Sequence, residues 1–363
     1  MKAVLVGLLV SAAAFGQALS QATGDDFTIA VWNDVHAENV ATYWTQSTDW
    51  LLGASGAGPG GAGTCGAYPC KSAIAYWNIV SINGVGDYTT ACTTVGTACN
   101  NAWNNDFKPD WLRQLATAFY GIWPGGNHDI VGPYATDVLG MTGVHYGSTP
   151  SQQYVNIDRT TSSGTIKLGI MGVDWVDNMA LLQPSRIWAD SVLSASESNR
   201  QWMFLRHVGT DTVNSPNPAP AYVYPADGNA GWYTSASEGI GVNTGVQLRD
   251  DFYMAEPKVY WGVHGHLKYV ARLSFNAADG HTVNVTGNLG ASGGKAGWIT
   301  LLKFRPSHND IQWAVYIWWN GAPNTAYSGP YTWAWTPQYS AASAARSCVD
   351  FGTGAGCGGV KFK

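Results

Sequence analysis

Five apolar runs in this chain each lead into an aspartate, asparagine or histidine, and that repeated pattern constrains the fold more than any other feature. "FTIAVW" runs into Asn33-Asp34-Val35-His36, "NIVSINGVG" into Asp87, and "FYGIWPGG" into Asn127-His128-Asp129. "QWMFLR" runs into His207, and "KVYWGV" into His264-Gly265-His266. Short apolar runs such as "FTIAVW", "IAYWNIVSI", "AFYGIW", "QWMFL" and "KVYWGV" read as buried strands. Between them, "NVATYWTQSTDWLL", "KPDWLRQLATAF" and "PSRIWADSVLSA" have helical spacing with polar or proline starts. This alternation predicts an α/β fold, and open α/β sheets place their sites at the C-terminal ends of strands. Further on, "VARLSFNAADGHTVNVTGNL" and "WITLLKFRPSHNDIQWAVYIWW" read as antiparallel hairpins, because turn residues break the apolar runs.

The chain has 363 residues, of which only 12% are charged, with a formal net charge of −5. That balance offers no electrostatic footprint for nucleic acid and no basic patch for a membrane surface. Lys2 precedes the apolar stretch "AVLVGLLVSAAAF", and small residues follow at Ala18, Ser20 and Ala22. This pattern predicts a signal peptide over 1–20 and a secreted, extracellular or periplasmic protein; the run is too short for a membrane span. Six cysteines fall in close pairs, predicting local disulfides Cys65–Cys70, Cys92–Cys99 and Cys348–Cys357. The sequon Asn284-Val285-Thr286 is a candidate glycan acceptor. Low-complexity and irregular stretches ("GASGAGPGGAG" and "SPNPAPAYVYP") do not separate segments of different character. The expected organisation is one catalytic domain over 24–320 and an aromatic- and Gly-rich tail over 321–363.

Of eight histidines, five (His36, His128, His207, His264 and His266) lie at these strand ends, while His145, His281 and His308 read as ordinary surface or loop residues. Imidazole nitrogens with carboxylate and amide oxygens suit borderline divalent ions, and the lack of thiolates in the pattern argues against a structural zinc cage. The i, i+2 spacing of Asp34/His36 and His264/His266 places each pair on one face of an extended strand. With one carboxylate shared, the set is large enough for two metals.

Taken in order, "DVH", "GD", "GNHD", a single histidine after a strand, and "HGH" resemble the calcineurin-like metallophosphoesterase superfamily, whose pattern is D-x-H, G-D, G-N-H-[DE], H and G-H-x-H. The resemblance spans roughly Phe27 to Phe304, with "GNHD" its most specific element. It implies a sandwich of two mixed β-sheets flanked by helices. It also implies a secreted hydrolase of phosphomonoesters or phosphodiesters that uses two divalent metal ions (Mn, Fe, Zn or Ni) and a metal-activated hydroxide. Carried over position by position, Asp34, His36 and His266 hold the first metal. Asn127, His207 and His264 hold the second, and Asp87 bridges. His128 then serves as general acid or phosphate-binding cation, with Asp129 as its orienting partner.

The chain departs from the pattern at two points. Val263 replaces the glycine before His-x-His, and Tyr88-Thr89-Thr90 lacks the acidic or amide residue that many members carry after the bridging aspartate. Purple acid phosphatases have D-x-G where this chain has His36, and a tyrosine where it has Thr90, so iron–tyrosinate chemistry is not expected. Acid sphingomyelinases share D-x-H and secretion, but no saposin-like cysteine pattern precedes the domain here. The 18 tryptophans, several clustered in "IQWAVYIWWNGAPNTAYSGPYTWAWTP", support one alternative: a secreted carbohydrate- or surface-binding protein with a relic metal site.

Overall fold

The computed structural model describes residues 19, 21–39, 41–53, 72–117, 121–129, 132–162, 164–209, 222–224, 245–267, 271–289, 298–308 and 310–317. The expected signal peptide (all but Leu19), the pairs Cys65–Cys70 and Cys348–Cys357, and the 321–363 tail lie outside the described residues. In chain order the strands are β1 (Phe27–Asn33), β2 (Ile79–Gly84), β3 (His145–Tyr146), β4 (Gln153–Thr161), β5 (Gly164–Gly172) and β6 (Gln201–Arg206). There follow β7 (Tyr222–Tyr224), β8 (Val259–Leu267), β9 (Ala271–Asn276), β10 (Thr282–Leu289), β11 (Trp298–Arg305) and β12 (Asp310–Ile317). The helices are α1 (Ala41–Leu52), α2 (Ala73–Trp77), α3 (Thr97–Asn101), α4 (Lys108–Leu115), α5 (Tyr134–Val138), α6 (Pro184–Ala195) and α7 (Gly245–Leu248).

Two mixed sheets result. One has the order β12-β11-β1-β2, the other β3-β4-β5-β6-β8-β10-β9-β7. In the first, β1 and β2 run parallel while β11 is antiparallel to both β1 and β12. In the second, β5, β6, β8 and β10 run parallel, and antiparallel partners flank them at β4 and β9. The fold is the expected α/β pair of mixed sheets flanked by helices.

Strand β1 is buried at all seven positions because both of its faces are covered. Phe27, Ile29 and Val31 join Leu302 and Phe304 of β11, Met203 and Leu205 of β6, and Val263 of β8 in the core between the sheets. Ala30 and Trp32 face the other way, into a layer with Trp44 of α1 and Trp111 of α4. Each of the Val, Leu, Ile, Phe and Met side chains among these contributes about 1.5–3 kcal/mol on burial. Two indole N–H groups in this layer are paired, Trp32 donating to Gln114 (2.8 Å) and Trp44 to the Phe107 carbonyl (3.1 Å), whereas buried Trp111 Nε1 has no hydrogen-bond partner. The largest fully buried side chains include seven tryptophans, from Trp32 to Trp202, so these rings are core and not an exposed platform.

The outcome differs from the sequence expectation in three places. "IAYWNIVSI" is not one strand. Ser72 caps α2 by accepting from Ala75 N–H (3.0 Å), left-handed Asn78 ends it, and β2 starts only at Ile79. In "AFYGIW", the described part (121–123) forms no strand. The Asn83 side chain takes the Ile122 N–H (3.0 Å), while the Ile122 carbonyl accepts from Gly84 N–H (3.0 Å). Strands β4 and β5 were not foreseen, although β4 buries Gln153, Val155 and Ile157 in strict alternation. The sequon Asn284 lies inside β10, opposite Trp261 and Ser274.

Among the described residues, Cys92–Cys99 forms a disulfide and no cysteine is free. No described helix is long and apolar enough to cross a membrane.

Candidate metal centre

Just past the ends of β1 and β2, and near the end of β8, the backbone leaves extended geometry abruptly. Asp34 (φ 23°), His36 (φ 44°), Asp87 (φ 52°) and His266 (φ 65°) all have positive φ, and they are four of the six non-glycine residues that do so among those described. Aspartate and histidine tolerate this region better than most residues, yet each instance still costs on the order of 1–3 kcal/mol. The strain is held by hydrogen bonds between the loops. His36 N–H donates to the Asp87 carbonyl (2.8 Å) and Ala37 N–H to the Tyr88 carbonyl (2.9 Å). The amide of His266 donates to Asp34 Oδ1 (2.9 Å), and that of His128 to Asp87 Oδ1 (2.9 Å). Glycine is required where two loops cross: a Cβ on Gly126 would lie 2.2 Å from Asp87 Oδ1, and one on Gly86 would lie 2.3 Å from Gly126 N.

The result is two overlapping groups of ligand atoms. Asp34, His36 and Asp87 form one, and Asp87, His207 and His266 the other, with the atoms of each group within 4.8 Å of one another. Asp87 belongs to both. His207 sits at the centre. Its Nδ1 lies 2.9 Å from the Val85 carbonyl, which can only accept, so Nδ1 carries the proton. Its Nε2 then faces Asn127 Oδ1 (2.8 Å), His266 Nδ1 (3.0 Å) and Asp87 Oδ2 (3.2 Å). With His207 neutral these are all lone-pair donors pointing at one another, whereas the protonated ring donates from Nε2 to Asp87. Asn127 Oδ1 meets only acceptors here. Turning the amide over would relieve that contact, and a cation among these atoms would relieve it as they stand.

The electrostatics agree. Burial, with Asp87 nearby, pushes Asp34 up to about 7. Burial acts on Asp87 in the same direction, but His207, His36 and His128 outweigh it and hold the carboxyl well below the usual carboxylate range. Burial alone would depress His207, yet Asp87 and Asp34 raise it to about 9. Burial and the neighbouring His207 drop His266 to about 3. Two buried carboxylates held among imidazoles call for compensating positive charge. The donor set therefore fits divalent cations, through a mixed nitrogen and oxygen set without thiolate.

His264 is not brought into this cluster. It is fully buried on the other side of the sheet, with Nε2 2.9 Å from Tyr253 Oη, and burial beside Arg206 lowers it to about 3. The residue between the two histidines explains this. A Cβ on Gly265 would lie 2.7 Å from Asp34 Oδ1, so Gly265, not His264, faces the centre along the strand. His266 is turned back to the site by its left-handed backbone, so the expected shared face does not form. The geometry also groups His266 with His207, not with Asp34 and His36.

His128 is half-buried. Its ring stands edge-on to His36 with centroids 5.4 Å apart, and its Nδ1 is 3.2 Å from the Thr90 carbonyl. The Asp129 carboxylate does not reach His128. It accepts from the backbone N–H groups of Gly126 (3.0 Å), Tyr88 (3.1 Å) and Thr89 (3.3 Å), tying the Asn127 loop to the Asp87 loop. Three residues around the site had no sequence signal that singled them out. The Trp175 ring packs on His207 and His266, with centroids at 6.0 and 5.6 Å. Asp174 accepts from Gly125 N–H (2.5 Å) and Tyr134 Oη (2.8 Å). Glu38 accepts from the Thr90 N–H and hydroxyl and from the Ala91 N–H. Of the remaining histidines, His145 and His308 are exposed, while His281 is buried against the Val259 carbonyl (2.9 Å) and takes no part in the site.

No family model and no curated protein matches the sequence. Among solved structures, the chain is similar to GAP50, the anchor in the inner membrane complex of Plasmodium. That similarity has a TM-score of 0.47 and 11% identity, over 82% of this chain and 89% of that one. It is also similar to the purple acid phosphatase PPD1 from yellow lupin (Lupinus luteus) seeds, with a TM-score of 0.46 and 11% identity. The latter overlap covers 81% of this chain and about half, 52%, of the lupin enzyme.

Proposed function

We propose that this chain is a metal-dependent phosphoester hydrolase that works with two divalent cations sharing Asp87. The observation that carries the reading is the pair of ligand groups overlapping on that one buried carboxylate. Asp34, His36 and Asp87 would hold one cation. Asp87, His207 and His266, with the Asn127 amide oxygen, would hold the other. When bound, such cations supply the positive charge that draws in a phosphoryl group and makes water nucleophilic near neutral pH.

The chain's own residues supply the rest. As the water oxygen bonds to phosphorus, the ester P–O bond breaks and its leaving oxygen needs a proton. His128 is the proposed donor, because it stands beside the ligands without belonging to either group. Asp129 keeps its loop in register with Asp87. Asp34 and Asp87 offset part of the cationic charge, so the surplus favours a phosphate group over a neutral ester.

The test is a substrate panel. Chelator-stripped protein, restored with Mn²⁺, Zn²⁺, Fe²⁺ or Ni²⁺, is assayed on p-nitrophenyl phosphate, its bis ester and their alkyl counterparts. The reading expects hydrolysis that vanishes with chelation and returns with metal. A protein that binds metal and hydrolyses none of these would instead be the binding module with a relic site.

A further inference from the structure

We infer that Glu38 is a positioning residue for His128, acting through Thr90 to fix which imidazole nitrogen faces the substrate. The inference rests on His128 as proton donor and goes beyond it, because the acid that orients the donor comes from the β1 exit and not from the loop after Asp87.

The connections run in one line. The Glu38 carboxylate takes the backbone N–H and the hydroxyl of Thr90, and also the Ala91 N–H at 2.8 Å. Three donors on one oxygen hold the peptide that follows Thr90 in a single orientation. The carbonyl of that peptide lies 3.2 Å from His128 Nδ1. A carbonyl only accepts, so Nδ1 is the nitrogen that donates to Thr90, and Nε2 is the one left to face the substrate. A proton donor needs this division. Imidazolium gives up the Nε2 proton to the leaving oxygen and remains as the Nδ1–H tautomer, already paired with Thr90.

Asp129, the adjacent carboxylate, is occupied by three backbone N–H groups. The Thr90 hydroxyl donates to Glu38, so the contact to the imidazole is made by the Thr90 main-chain carbonyl. A backbone carbonyl supplies no negative charge, so its orientation is all that it contributes, and Glu38 sets that orientation.

The test compares Glu38→Ala with Glu38→Gln, whose amide oxygen can still accept from Thr90. Nitrogen NMR of isotope-labelled histidine, with His128 assigned by difference from His128→Ala, reads the tautomer in metal-free and zinc-loaded protein. The expected result is Nδ1–H in the parent chain and in Glu38→Gln, and a mixture in Glu38→Ala. Turnover of alkyl phosphoesters should fall roughly 10–100-fold in Glu38→Ala, with a much smaller loss on p-nitrophenyl esters, and recover in Glu38→Gln. Metal content should not change. A His128 tautomer unaffected by Glu38→Ala, or a loss equal across leaving groups and matched by metal loss, overturns the inference. If His128→Ala itself shows no leaving-group dependence, the donor role fails, and the tautomer still reports on Glu38 separately.

Discussion

Asp87 Oδ1 accepts the backbone N–H of His128 at 2.9 Å, while the same carboxylate belongs to both ligand groups. Metal holding and the placement of the proposed proton donor thus meet in one side chain. Asp87→Ala is expected to lose both cations, whereas His36→Ala, which disturbs only one group, should retain about one of two. Metal analysis of dialysed protein decides between them, and equal losses in the two variants would contradict the sharing.

His264→Ala should keep its metal. The imidazole is buried against Tyr253 Oη, away from the ligand groups, so its removal should act on stability. A loss of about 1–3 kcal/mol is expected for the broken buried contact, read by denaturant unfolding. Loss of bound metal in a folded variant would return His264 to the ligand set.

Much of this arrangement was legible in the sequence. Pro184–Ala195 shows its helix through proline at the start and an apolar face, and the β9–β10 and β11–β12 hairpins through their turns. The order Asp34, Asp87, Asn127, His207 and His266 marked residues that meet, although the run before Asn127 forms no strand where it is described. Left-handed backbone was not legible, because aspartate and histidine only tolerate it and do not require it. That is why the i, i+2 spacing of His264 and His266 predicted a shared face that the chain does not form. Contacts made by a main-chain carbonyl, such as Thr90 to His128, leave no residue-type signature at all.

Asp174 makes stability depend on pH in a way that can be isolated. Burial raises its carboxyl from 3.8 to about 7. The folded chain therefore binds a proton that the unfolded chain releases between these values. The contribution of Asp174 is fully present below about pH 4, falls as pH rises and levels off above about pH 7. Asp174→Asn should flatten this slope relative to the parent, by on the order of 1–4 kcal/mol across the window. Unfolding curves at several pH values check this, and parallel profiles would contradict it.

Cys92–Cys99 closes a short loop between the Asp87 segment and α3. Replacing both cysteines with serine should lower stability at or below the lower end of the ~2–4 kcal/mol range for disulfides. Denaturant unfolding with and without reductant reads the effect. A parent chain indifferent to reductant would show that the bridge contributes nothing.

The sharing of Asp87 by two cations is tested most directly by electron paramagnetic resonance of the protein titrated with Mn²⁺. A single carboxylate held in common predicts that the isolated-ion spectrum gives way, as the second ion enters, to an exchange-coupled multiline signal, and that phosphoester hydrolysis rises with that signal. An isolated-ion spectrum that persists at every loading, or a coupled pair that hydrolyses no phosphoester, would contradict the dinuclear account.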